Sequence, residues 1–162
     1  MGEMIKVDFT LNGKPTSYHV APHTNLLRML RDNYHYEVKC GCEEGDCGTC
    51  TVLIDGVSLK SCITLAAQVE GRCVLTVKGV TYSDDDTGHL LQKNFVECGS
   101  IQCGFCTPGM IMVAKEYLDG GGIADRDAIR KAISGNLCRC TGYTKIIDAI
   151  YKTAKEIGRE VR

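Results

Sequence analysis

The stretch CGCEEGDCGTC, residues 40–50, puts four cysteines within eleven residues, spaced by glycines and acidic side chains. Cys42, Cys47 and Cys50 follow C-x4-C-x2-C, and Cys62 comes after eleven intervening residues. That is the plant-type [2Fe–2S] spacing. Cys40 could also open the set, but only Cys42 gives the four-residue gap. A loop wrapped round a two-iron cluster must turn sharply and bring backbone N–H groups close to sulfur. Gly41, Gly45 and Gly48 give it that freedom, because glycine accepts positive φ and close approach. The N–H groups are needed because a cluster held by four thiolates is negative, and burying that charge without donors is costly.

A second cysteine set lies downstream. Cys103-Gly104-Phe105-Cys106 is C-x2-C, and Cys138-Arg139-Cys140 is C-x-C. Each pair precedes a predicted helix, one starting at Thr107-Pro108 with Thr107 as N-cap, the other near Thr141–Tyr143. Two helix N-termini would then face one cluster, where dipoles and free N–H groups favour negative charge. Two other chemistries compete for these thiols. Eight cysteines could hold two structural zinc ions, although C-x4-C-x2-C is an unusual zinc knuckle. CGFC also resembles a thioredoxin redox pair, but its surroundings are helical rather than sheet.

The remaining residues of interest read as structural. Cys73 and Cys98 sit in apolar patterns and are expected in the core. Cys40 is expected to be a neighbour of the cluster rather than a ligand. His19, His23, His35 and His89 stand singly in polar surroundings and are expected at the surface, so a His/Cys Rieske-type cluster is not supported. Met110 and Met112 read as packing. The sequence has no G-x-G-x-x-G, no P-loop and no carboxylate pair or catalytic triad.

Composition agrees with metal rather than disulfide chemistry. There are eleven cysteines in 162 residues, an odd number. The start, MGEMIKVDFTLNG, lacks a hydrophobic secretory segment and a twin-arginine signal, so a reducing, cytoplasmic setting is expected. A net charge of −1 gives no basic footprint for nucleic acid. No apolar run reaches membrane-spanning length.

The pattern along the chain is α+β. Met4–Thr10 reads as a strand, Asn12-Gly13 as a turn and Thr16–Ala21 as the returning strand. Thr24 is the expected cap of a helix carrying Leu26, Leu27 and Leu30. Thr51–Ile54, Val57–Ser61 and Cys73–Lys78 read as further strands. From Gly79 to Gly88 the chain is polar and turn-rich, and the acidic run Asp84–Asp86 reads as solvated. Helical periodicity follows, with Leu91, Phe95 and Cys98 on one face. A second helix carries Ile111, Ala114, Tyr117 and Leu118. A third is capped by Asp125, and a fourth runs through Ile146, Ile147, Ile150, Ala154 and Ile157. Two small domains are expected, 1–80 and 88–162, joined by a linker at 81–87.

Taken together, GCEEGDCGTCTV, QCGFCTPGMIM and SGNLCRCTGY resemble the small iron–sulfur subunit of the molybdenum hydroxylases. This is the xanthine dehydrogenase/oxidase and carbon monoxide dehydrogenase family. The likeness spans nearly the whole chain, and Cys40 is its one departure within a motif. It implies a β-grasp, plant-ferredoxin-like domain followed by a four-helix [2Fe–2S] domain. It assigns Cys42, Cys47, Cys50 and Cys62 to the solvent-side cluster, and Cys103, Cys106, Cys138 and Cys140 to the inner one. Gln102 and Cys140 would lie against the pterin of the partner's cofactor. The implied partners are a large molybdopterin (Mo) subunit and a medium FAD subunit, in an assembly such as a dimer of heterotrimers. The implied role is an electron relay between molybdopterin and FAD or another acceptor, with no substrate site in this chain.

Overall fold

Alternation of apolar and polar residues builds the first hairpin. Strands β1 (Ile5–Leu11) and β2 (Lys14–Val20) pair antiparallel, and Val7, Phe9 and Leu11 turn inward. Asn12 and Gly13 both adopt positive φ, 51° and 79°, as a tight hairpin turn of this hand requires. A computed structural model gives the fold of residues 3–81 and 86–159.

Helix α1 (Leu26–Asp32) lays Leu26, Leu27, Met29 and Leu30 on the sheet. Its cap is Asn25 rather than Thr24: the Arg28 N–H donates to Asn25 Oδ1 at 2.8 Å. Thr24 is taken up elsewhere, its carbonyl accepting from Ala66 N–H at 2.8 Å. Strands β3 (Thr51–Ile54), β4 (Val57–Lys60) and β5 (Cys73–Leu75) complete a sheet of order β2-β1-β5-β3-β4. Strand β5 runs parallel to β1 and antiparallel to β3.

The strand expected over Cys73–Lys78 stops at Leu75. Val77–Thr81 is a short helix, α2, despite its β-branched composition. The cause is tertiary. Thr76 N–H, which would continue the ladder, donates instead to Asn12 Oδ1 at 2.8 Å, and Asn12 Nδ2 donates to Thr76 Oγ1 at 3.0 Å. The Thr76 carbonyl then accepts from Gly79 N–H at 2.9 Å, which turns the chain. Cys73, expected in the core, is exposed, because the buried face of β5 belongs to Val74.

The rest is helical: α3 (Asp86–Glu97), α4 (Thr107–Asp119), α5 (Arg126–Ala132) and α6 (Thr144–Glu156). Leu91, Phe95, Met110, Ala114, Leu118, Ile129, Ile146 and Ile150 form their common core. Asp125 caps α5 as expected, its Oδ1 accepting from Ala128 N–H at 2.7 Å. Asp84 and Asp85 of the acidic run lie outside the described residues. Among those described, no helix is long and apolar enough to cross a membrane.

Strand β3 joins the two halves. All four of its residues are buried, since both faces of the sheet are covered there. Val52 and Ile54 face the α1 core, while Leu53 packs with Val80 of α2 and Met112 of α4.

Candidate metal centres

The 42–50 loop is folded around sulfur. The N–H groups of Glu44 and Cys47 point at Cys42 Sγ, at 3.4 and 3.3 Å, and Cys42 N–H points at Cys47 Sγ at 3.4 Å. These donors hold the Cys42 thiol down at about 6, the N–H groups of Cys47 and Glu44 being the main cause. Gly48 has a φ of +68°. Gly41 is needed for space rather than for φ, because a Cβ there would lie 2.8 Å from Cys47 Sγ and 2.9 Å from Thr49 Oγ1. Cys62 enters on a single turn of 3₁₀ helix after β4. It is placed against Cys50 by Ser61, whose N–H and hydroxyl both donate to the Cys50 carbonyl, at 3.4 and 2.8 Å. Cys50 and Cys62 are buried, and burial, then the Cys50 thiol, pushes Cys62 up to about 12.

The second set gathers at the starts of α4 and α6. Cys106 itself occupies the cap position of α4, so Thr107 is the first helical residue rather than the N-cap. Burial and the neighbouring Cys138 thiol push Cys106 up to about 12. Cys140 Sγ lies 3.5 Å from Cys103 Sγ, and both residues are exposed, as is Gln102 beside them. Cys138 is held on two sides. Its N–H donates to the Tyr143 hydroxyl at 2.9 Å, and the Thr141 hydroxyl donates to its sulfur at 3.1 Å. Burial raises the Cys138 thiol, but the Thr141 donors and the Cys140 N–H outweigh it and leave the group below its ordinary value. Tyr143 reaches back because its own backbone is left-handed, with φ 68°.

The two sets abut. Leu137 N–H donates to the Cys47 carbonyl at 3.0 Å, and the buried Asn136 Nδ2 donates to the Gly48 carbonyl at 2.9 Å. Gly109 of α4 is packed so closely that a Cβ would lie 2.3 Å from that same carbonyl. Between the sets lies a cleft of about 310 Å³ whose walls include Cys42, Cys47, Thr49, Phe105 and Cys138.

The eight thiols sit in pairs: Cys42 with Cys47, Cys50 with Cys62, Cys103 with Cys140 and Cys106 with Cys138. Among the described residues no group of three or more His, Cys, Asp or Glu side chains is placed to hold a metal ion. Two pairs per site, with N–H donors already aimed at sulfur, fit a [2Fe–2S] cluster, in which four thiolates are shared by two irons. Cys40 is the neighbour expected, giving its S–H to Glu43 Oε1 at 3.0 Å, while Glu43 also pairs with Arg28 at 2.7 Å. Cys98 packs half-buried against the helical core. His19, His23 and His89 are exposed, but His35 is only 20% exposed and contacts the Tyr18 hydroxyl at 2.9 Å. Sequence reasoning passed over Thr49, Asn136, Thr141 and Tyr143. The one available signal was a threonine beside a cysteine in both CGTC and CRCT.

Comparison with known proteins agrees with this geometry. Residues 9–91 match the 2Fe-2S iron-sulfur cluster binding domain family, and residues 76–151 match the [2Fe-2S] binding domain family. The nicotinate dehydrogenase small FeS subunit of Eubacterium barkeri is 44% identical over 147 residues, covering 90% of this chain and 92% of that protein. The xanthine dehydrogenase iron-sulfur-binding subunit of Escherichia coli O157:H7 is 39% identical over 159 residues, 94% of this chain and 96% of that one. A chain of quinoline 2-oxidoreductase from Pseudomonas putida 86 superposes with a TM-score of 0.89 at 41% identity, covering 98% of this chain and 99% of that chain. Two cluster-binding domains in one short chain, on this backbone and at these identities, leave one assignment: the chain belongs to the small iron–sulfur subunits of the molybdenum hydroxylase (xanthine dehydrogenase) family and is part of an oxidoreductase.

Proposed function

We propose that this subunit relays electrons through two clusters held by separate domains. Cys42, Cys47, Cys50 and Cys62 would ligate one, in a β-grasp, plant-ferredoxin-like domain over 1–80. Cys103, Cys106, Cys138 and Cys140 would ligate the other, in a four-helix domain over 88–162, with 81–87 as the linker. The observation that carries the reading is the pairing of eight thiols into two adjacent groups, joined by the Leu137 N–H to Cys47 carbonyl bond. Bound clusters supply one-electron chemistry. The chain's own residues then have three tasks. The N–H groups of Cys42, Glu44 and Cys47 hold negative sulfur in the first site. Burial of Cys50, Cys62 and Cys106 keeps water away from one side of each site. The exposed edge of Gln102, Cys103 and Cys140 is left for contact with a partner.

That edge is where we place the large molybdopterin (Mo) subunit, with the Gln102 amide and Cys140 against the pterin. A medium subunit would carry FAD, in an assembly such as a dimer of heterotrimers, and the complex would work in the cytoplasm. Relatives named as small subunits support larger partners. Iron and acid-labile sulfide in the anaerobically isolated complex should amount to two clusters per copy of this chain. Cys50→Ser and Cys106→Ser should each abolish a different electron paramagnetic resonance (EPR) signal of the reduced protein. One cluster's worth of iron, or loss of the same signal in both variants, refutes the proposal. Absence of molybdenum and pterin from the complex refutes the partner assignment.

A further inference from the structure

We infer that the hydroxyl groups of Thr49 and Thr141 set the reduction potentials of the two stations, each by donating a hydrogen bond to one ligand sulfur. The inference rests on the two-cluster reading above. Thr49 Oγ1 lies 3.3 Å from Cys47 Sγ, and Thr141 Oγ1 lies 3.1 Å from Cys138 Sγ. A thiol and a hydroxyl can each donate to the other. Once the sulfur is bound to iron it has no proton, so the hydroxyl must be the donor. A donor at sulfur stabilises the more negative, reduced state and raises the potential.

Position makes the effect specific. Thr49 is only 4% exposed, so water does not replace its hydroxyl. Gly41 leaves this contact its space: a Cβ there would lie 2.8 Å from Cys47 Sγ and 2.9 Å from Thr49 Oγ1. Thr141 is steadied in turn by Tyr143, whose N–H donates to its Oγ1 at 3.2 Å. The two sulfurs belong to residues that meet at the seam: the Cys47 carbonyl accepts from Leu137, the neighbour of Cys138. Thr49, Cys47 and Cys138 also share one cleft. Both hydroxyls therefore lower the energy of an added electron at their own site. In the reduction one electron is gained, no bond is made or broken, and the proton stays on the threonine oxygen.

The test is an EPR-monitored redox titration of the assembled complex with Thr49→Val, Thr141→Val and the matching serine variants. Valine keeps the shape and removes the donor. Thr49→Val should lower the midpoint of one cluster signal, and Thr141→Val that of the other. Each should shift the sharing of an electron between clusters about tenfold, or about 59 mV for one electron, in opposite directions. The serine variants should stay near the parent. Midpoints that do not move, two signals that move together, or serine variants that move as far as valine overturn the inference. Should a valine variant not load its cluster, the parent complex decides. Pulsed EPR after a brief transfer to deuterated buffer should show at each cluster a hydroxyl hydrogen that exchanges ahead of the backbone N–H groups, and its absence overturns the inference. A parent with fewer than two cluster signals would instead refute the reading beneath it.

Discussion

Gly48→Ala tests whether the seam between the two cysteine sets holds the chain together. The residue sits at φ +68°, where an alanine costs about 1–2 kcal/mol. The new Cβ would also lie 2.5 Å from both the Gly135 carbonyl oxygen and Asn136 Oδ1. The backbone oxygen cannot swing aside alone, so the 135–137 segment must move away from 47–49. That movement breaks the Leu137 to Cys47 and Asn136 to Gly48 hydrogen bonds, which together are worth about 1–3 kcal/mol. The expected loss is about 2–5 kcal/mol, large beside the 5–15 kcal/mol typical of a whole fold. Gly56→Ala is the control: its φ is +85°, but a Cβ there meets nothing within 4 Å. It should show the backbone cost alone. Urea unfolding of the cluster-loaded chain under anaerobic conditions, followed by circular dichroism and visible absorbance, measures both. The Gly48 variant should unfold at lower urea and lose the coincidence of the two probes. If the two variants unfold alike, the seam contributes nothing and the reasoning is wrong.

Two further outcomes follow from the geometry. Asn12→Ala removes the side-chain hydrogen bonds to Thr76 and places alanine at φ 51°, so it should cost about 2–4 kcal/mol in denaturant unfolding. Asn12→Gly should recover the backbone share; an alanine variant within about 0.5 kcal/mol of the parent would contradict the anchor role. In the metal-free chain the lowered Cys42 value means its thiolate stabilises the fold above the ordinary thiol range, about 8.5, and that contribution is lost as pH falls through about 6. Cys42 should accordingly be alkylated ahead of Cys62 and Cys106 by iodoacetamide at pH 7, and more slowly as pH drops through about 6; peptide mapping by mass spectrometry that finds Cys62 first would refute this.

Much of the outline was legible because it depends on local rules. Asn12-Gly13 marked a hairpin, Asp125 a helix cap, and the spacing of eight cysteines a pair of cluster loops. Where local rules erred, a distant group had taken over a backbone bond. CVLTVK has strand composition, yet Asn12 captures the Thr76 N–H and ends the strand. Thr24 is a good cap by type, but its carbonyl serves Ala66, so Asn25 caps the helix. Cys73 alternates correctly within its strand but on the exposed phase, which apolarity alone cannot reveal.

Residue type and spacing by themselves thus pointed to iron–sulfur chemistry, because closely spaced thiols with glycines between them in a C-x4-C-x2-C pattern suit a cluster loop better than a zinc knuckle. What folding alone decided was adjacency. Strand β3 buries one face against α1 and the other against α4, and Leu137 meets Cys47 although the two are ninety positions apart in the chain. The two threonine hydroxyls rest on sulfurs two and three residues away in their own loops, and packing decides only that those loops meet.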